Sequence, residues 1–291
     1  MRALLLALAW LAAGVVFGAP VSALDDAGSV VRLARPAERI VSLAPHATEL
    51  LFDVGAGARV VGTVSYSDYP SAARHIPRVG DASRIDRERL LALRPDLVVG
   101  WGSGNPPGEL AALRRLGIPV YVSEPRHFRT IAHDLLALGR LAGTEDVARR
   151  AAHAFDRRLT ALRRRYGARP PVMVFFQVST HPLITVTGEH IISAVLRLCG
   201  GRNIFASLSG LAPQVSLEAV LAARPQAIVF SRYQGQDSHT MQAFWSRWQA
   251  VPAVRSGAIF GIPADLIARP TPRILDGAAM ICRDLQKVRH P

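Results

Sequence analysis

Residues 88–99 read ERLLALRPDLVV, and residues 218–229 read EAVLAARPQAIV, the same pattern 130 positions later. Glu, Leu-Ala, Arg-Pro and a β-branched finish stand in register throughout. Each copy carries apolar residues at helical spacing, then Arg-Pro, then an apolar run. Proline cannot donate the hydrogen bond that would continue a helix, and it biases the residue before it toward extended backbone. Both copies are therefore helix-to-strand units. A unit that recurs at a fixed offset predicts two lobes of similar architecture.

Working outward, RIVSLA (39–44) and VMVFFQV (172–178) read as the strands that open each lobe. Each leads to an apolar helix, through Glu49-Leu50-Leu51-Phe52 or through Ile191 to Leu196, and glycines close both: Gly55 and Gly57, then Gly200 and Gly201. Glycine there suits the left-handed turn that ends a helix. Further strands are expected at 59–64, 97–101, 118–122, 227–231 and 257–262. Strands alternating with helices argue for an α/β fold with mainly parallel sheets.

Between the lobes lies TEDVARRAAHAFDRRLTALRRRYGARP, residues 144–170. Thr144 and the acids after it suit a helix start. Val147, Ala151, Phe155, Leu159, Leu162 and Tyr166 recur at three- and four-residue steps, and Gly167 and Pro170 end the pattern. One helix of about 22 residues, about 33 Å long, is expected to join the lobes rigidly. The layout is an N-terminal lobe over 24–142, a bridging helix over 143–168 and a C-terminal lobe over 169–291.

The chain begins Met1-Arg2, continues with an uncharged apolar run from Ala3 to Phe17, and reaches a small-x-small pattern at Val21-Ser22-Ala23. That is the form of a secretory signal peptide, residues 1–23, with a cut after Ala23. The run is short for a membrane span. The formal net charge is +13, but the arginines are scattered apart from Arg163-Arg164-Arg165 and no nucleic-acid motif accompanies them, so a solvated basic face is expected and nucleic acid is not a partner. Cys199 and Cys282 are the two cysteines, and in an exported protein such a pair is expected to form a disulfide, here tying the C-terminal helix to its lobe.

In open parallel sheets, ligands sit beyond the carboxyl ends of the strands. Two facing lobes then make one cleft. The first lobe offers Ala44-Pro45-His46, the turn Tyr66-Ser67-Asp68-Tyr69 and WGSGNPP (101–107); the second offers STHPLITVTG (179–188) and ADLIARPTPR (264–273). Aromatic residues on such loops suit a broad, flat ligand with polar edges. No G-x-S-x-G elbow, P-loop or G-x-G-x-x-G occurs, so no catalytic residue is assigned. His46, His181 and His190 are too scattered to assign a metal site. A secreted enzyme remains the lesser alternative to a binding protein.

RIVSLAPHATELLFDVGAGARVVGTVSYSDYP, LLALRPDLVVGW, LCGGRNIF, PQVSLEAVLAARPQAIV and RPTPRI together resemble the cobalamin-binding family of periplasmic proteins that serve bacterial ABC importers. The match runs in order from about residue 39 to 285. The helix-to-strand repeat is shared with binding proteins for haem and ferric siderophores, which stand as the alternative. The Ser-Tyr-Ser-Asp-Tyr-Pro turn, the tryptophan after the Arg-Pro-Asp strand and the Cys-Gly-Gly-x-Asn-Ile-Phe run are more specific to the cobalamin branch.

The resemblance implies capture of cobalamin or another corrinoid as cargo, with no cofactor, by a periplasmic monomer that delivers it to a membrane permease. It implies that Tyr66 and Trp101 lie against the corrin, with Tyr69 packing the turn. From the second lobe, Asp265, Leu266, Ile267, Ala268 and Arg269 meet the ligand, Asp265 accepting from amides and Arg269 donating to amides or phosphate. Glu88 and Glu218, one per lobe, match carboxylates that dock on permease arginines, and Cys199 and Cys282 match the family's disulfide. Where the family has further aromatic residues, this chain has Ala82, Ala212 and Ile184, so the ring cage is expected to be thinner.

Overall fold

A computed structural model describes residues 19–233 and 238–290. The apolar leader expected at the start lies outside the described residues as far as residue 18. Downstream of it, β1 (Val21–Leu24) pairs antiparallel with β2 (Val30–Leu33), Val21 opposite Leu33 and Leu24 opposite Val30. The cut expected after Ala23 therefore falls inside a paired strand, and would leave Leu24 alone of its four residues.

The first lobe holds β3 (Ile40–Ser42), β4 (Val60–Gly62), β5 (Leu97–Trp101) and β6 (Val120–Ser123), all parallel, in the order β4-β3-β5-β6. Its helices are α1 (Pro45–Asp53), α2 (Arg87–Ala92), α3 (Pro107–Arg115) and α4 (Phe128–Leu141). After α5 (Glu145–Tyr166), the second lobe holds β7 (Val172–Gln177), the short antiparallel pair β8 (Ser179–Thr180) and β9 (Leu183–Ile184), α6 (Ile191–Leu198), β10 (Gly201–Asn203), α7 (Leu217–Ala223), β11 (Ala227–Arg232), α8 (Ser238–Trp245), α9 (Pro252–Arg255), β12 (Ile259–Pro263), α10 (Ala264–Ile267) and α11 (Ile274–Arg289). Its parallel sheet runs β10-β7-β11-β12. In chain order both four-stranded sheets read second, first, third, fourth. The duplication seen in the sequence is a duplication of topology.

The repeat explains itself in detail. Asp86 and Ser216 cap α2 and α7, accepting from the N–H groups of Arg89 and Ala219, as short polar side chains do at helix starts. After each helix, Asp96 and Gln226 fasten the returning chain to its sheet. Asp96 Oδ1 accepts from the Arg39 N–H at 2.9 Å and Gln226 Oε1 from the Met173 N–H at 2.8 Å. Arg94 and Arg224, just before the prolines, differ from the extended backbone expected of them. Their φ angles are 46° and 47°, in the left-handed region. Proline disfavours the right-handed helical conformation at the preceding residue, and the sharp reversal from helix to strand takes the left-handed alternative used at helix ends.

Helix α5 has 22 residues and buries Ala148, Ala152, Phe155, Leu159 and Tyr166. Thr144 does not cap it with its side chain and instead donates to the Gly139 carbonyl. Through Phe155 the apolar core is continuous between lobes, including Ile40 and Leu51 on one side and Phe175 and Ile281 on the other. A shared core around one helix makes wide swings of the lobes costly. Cys199, at the end of α6, is bonded to Cys282 in α11 with Cα atoms 4.6 Å apart. Their separation of 83 residues closes a loop whose constraint stabilises by about 2–5 kcal/mol in the chain-entropy model.

Candidate functional site

The parallel order places the segments after β3, β4, β5 and β6 at one edge of the first sheet. Tyr66 follows β4. It is 78 % exposed and has a φ of 64°, a backbone conformation that costs a side-chain-bearing residue roughly 1–2 kcal/mol. The turn beneath it is fixed: the buried Ser67 hydroxyl accepts from Thr48 Oγ1 at 3.1 Å, and the Ser67 carbonyl accepts from Arg78 Nη2 at 2.9 Å. A rigid support thus holds a bare aromatic ring in solvent. Strain of this kind, over-determined by its surroundings, is characteristic of ligand contacts.

Trp101 is the last residue of β5. Its backbone N–H donates to Asn105 Oδ1 at 2.7 Å, and Asn105 Nδ2 donates to the carbonyls of Leu43 and Ala82. The indole lies on Gly104 so closely that a Cβ there would come within 1.8 Å of a ring atom. The His46 ring stands nearly perpendicular to it, with centroids 5.5 Å apart. His46 Nε2 is 3.1 Å from Ser123 Oγ; Ser123 donates to Asp134 Oδ2, and Tyr121 donates to Asp134 Oδ1, both at 2.6 Å. Burial, helped by the charge of Arg269, lowers His46 to about 3, so it is neutral at any physiological pH. Burial and the charge of Asp26 push Asp134 well above the usual carboxylate range.

The second lobe meets this edge through the segment after β12. Arg269 Nη1 binds Glu49 Oε1 at 2.9 Å and Asp68 Oδ1 at 2.8 Å, and its Nη2 binds Asp265 at 2.7 Å. Glu49 also accepts from Thr271 Oγ1 and Arg273 Nη1. Burial pushes the Glu49 carboxyl upward; the Arg269 hydrogen bond, both guanidinium charges and the Thr271 hydrogen bond oppose it. The Arg273 guanidinium lies 3.6 Å from the centroid of the exposed Tyr69 ring, a contact between the lobes. Arg126 and Glu189 form a further pair between lobes at 3.5 Å.

Asp68, two residues after Tyr66, thus touches Arg269, and the expected residues of the two lobes converge. Within 265–269, Asp265 and Ala268 are exposed and Leu266 is half-buried. Ile267 departs from expectation: it is fully buried in the core and presents no surface to a ligand. Arg269 keeps its place at the cleft, but its donors are engaged by three protein carboxylates. Glu88 and Glu218 are exposed in the first turns of α2 and α7. Ala212 is exposed, Ala82 and Ile184 are half-buried.

His181 packs edge-on against Phe244, and His190 Nδ1 accepts from the Ile192 N–H. Among the described residues no group of three or more His, Cys, Asp or Glu is suited to a metal. The His46–Ser123–Asp134 chain has the residue types of a hydrolytic triad in an unsuitable order, since serine sits in the middle and is buried. An exposed ring, a second ring at a strand end and a carboxylate-guanidinium rim can hold a flat, amide-edged ligand.

Glu49, Asp134 and Asn105 were not singled out from the sequence. The first two had a signal: each is an acid within an apolar stretch, ATELLF and IAHDLLAL, where the buried face of a helix needs a partner for it.

A family model described as periplasmic binding protein matches residues 40–266. The chain is 42 % identical over 252 residues to the vitamin B12-binding protein of Vibrio cholerae serotype O1, covering 86 % of this chain and 90 % of that one. It is 39 % identical over 258 residues to the vitamin B12-binding protein of Yersinia pestis, covering 89 % and 90 %. Among solved structures, the periplasmic vitamin B12-binding protein of Vibrio cholerae superposes with a TM-score of 0.82 at 40 % identity, over 88 % of this chain and 99 % of that one. The periplasmic haem-binding protein of Roseiflexus shares the fold at 23 % identity, with a TM-score of 0.75 over 87 % and 99 % of the two chains.

Proposed function

The chain belongs to the periplasmic binding protein family of solute carriers, and from that premise we propose that it captures cobalamin or a related corrinoid and delivers it to the permease of an ABC importer. It does so as a monomeric carrier, taking the corrinoid as cargo. The relatives named above carry the choice of ligand, since the identity spans nearly the whole of both chains.

The observation that bears most weight is Tyr66, a bare ring held in a strained backbone beside the contact of Asp68 with Arg269. A broad apolar face would cover it, at about 25 cal/mol for each Å² removed from water. Trp101 offers the second ring, while Asp265, Leu266 and Ala268 meet the ligand from the other lobe. With Arg269 shared among three carboxylates, its role toward ligand is to present the charged rim as a unit. Glu88 and Glu218 provide two spaced anchors for a permease with two similar halves.

The test is spectroscopic. Purified protein is mixed with cobalamin, haemin or a ferric siderophore, and free ligand is removed by gel filtration. The corrinoid spectrum is expected to travel with the protein at one-to-one stoichiometry. Retention of haemin or the siderophore alone would transfer the protein to that class.

A further inference from the structure

We propose that His46 is a positioning residue for Trp101, and that its hydrogen-bonded support on Ser123 and Asp134 sets the ring in place for ligand. This rests on the reading of Trp101 as a ligand-stacking residue. A tryptophan at a strand end can swing about two side-chain torsions, and a ring that must be ordered on binding loses affinity through that ordering. Here the swing is blocked on two sides. Gly104 leaves just enough room for the indole, and the His46 ring lies against it, nearly perpendicular, with centroids 5.5 Å apart.

His46 can hold this position because it stays neutral and because its ring nitrogen Nε2 is anchored on Ser123. Ser123, at the end of β6, receives it at 3.1 Å and is itself fixed by Asp134, which Tyr121 also binds. The hairpin turn after β1 closes the far end of this column. Asp26 donates its N–H to the Val122 carbonyl at 3.0 Å and accepts from the Glu124 N–H at 2.6 Å, with its charge bearing on Asp134. The groups facing His46 are thus Trp101, Ser123 and, from the second lobe, the charge of Arg269. An apolar residue would lack the anchor, and a charged one would not tolerate the burial.

The experiment labels the protein with 5-fluorotryptophan and assigns the Trp101 fluorine resonance with Trp101→Phe. In ligand-free protein, His46→Asn and Ser123→Ala are expected to shift or broaden the Trp101 resonance and leave that of Trp245 in place. In calorimetric titrations with cobalamin, each should weaken affinity about 5- to 20-fold when Trp101 is present and less than about twofold in a Trp101→Ala background, as for residues acting as one unit. An unchanged Trp101 resonance would overturn the proposal. So would an equal loss of affinity in both backgrounds, because His46 would then touch the ligand directly. If His46→Asn does not fold, Ser123→Ala, which removes a single oxygen, carries the same expectations. Should the unmodified protein take no corrinoid, the proposed function fails while the ligand-free fluorine measurement still decides the positioning role.

Discussion

The guanidinium of Arg269 lies 2.9 Å from the carboxylate of Glu49, a residue 220 positions earlier and 1 % exposed at its side chain. The two lobes are joined on the cleft side by this contact as well as by α5. Glu49→Gln removes the charge that Arg269 and Arg273 share, although Arg269 retains Asp68 and Asp265. The substitution should therefore cost about 1–3 kcal/mol, less than breaking an isolated buried pair. Urea unfolding at neutral pH measures it, and a change below about 0.5 kcal/mol would mean the contact is no more than a surface ion pair.

Asp53, one turn after Glu49 at the end of α1, has a buried Oδ2 without a hydrogen-bond partner. Burial and the charge of Glu49 raise it from an ordinary 3.8 to about 7, with Arg273 opposing. Its folded value exceeds the unfolded one, so between about pH 4 and pH 7 the folded protein holds the extra proton. Stability from this group is lost as pH rises through that window and levels off above it. Asp53→Asn should flatten the profile and add about 1–3 kcal/mol at pH 8, allowing for partial exposure. Unfolding curves between pH 5 and pH 8 for both proteins check this, and an unchanged slope would count against it.

Gly104 tests how tightly Trp101 is held. A methyl group at 104 would overlap the indole outright, so Gly104→Ala must displace the ring. Cobalamin affinity should drop about tenfold, roughly 1.4 kcal/mol, while the thermal midpoint moves little, because the strand-end loop is at the surface. Affinity equal to that of the unsubstituted protein would show that the ring's position is irrelevant.

The fold was largely legible because the ERLLALRPDLVV and EAVLAARPQAIV units are local instructions repeated twice, and local patterns are what sequence periodicity records. The placement of Tyr66 and Trp101 at strand ends was legible for a similar reason, since turn residues follow each apolar run. Glu49 with Arg269 was not, because the contact depends on how two lobes meet across 220 residues. Ile267 shows the opposite error: within a five-residue loop, resemblance carried over the whole run, whereas the short helix α10 turns that side chain inward. The left-handed Arg94 and Arg224 show a general bias before proline yielding to the geometry of a sharp chain reversal.

Delivery should separate from capture. Glu88 and Glu218 are exposed and make no ion pair among the described residues. The double substitution Glu88→Ala with Glu218→Ala should leave cobalamin affinity within about twofold and weaken capture by the cognate permease, with a smaller dependence on salt. A pull-down with detergent-solubilised transporter reads this directly. Full retention by the permease would remove the docking role from both glutamates.

Calorimetric titration of cobalamin into the unsubstituted protein and into Trp101→Ala tests the central claim most directly. Cobalamin should bind the unsubstituted protein one-to-one, and loss of the stacked indole should weaken it by about 1–3 kcal/mol, or roughly 5- to 150-fold. No heat with cobalamin, or identical affinity without the Trp101 ring, would contradict the account.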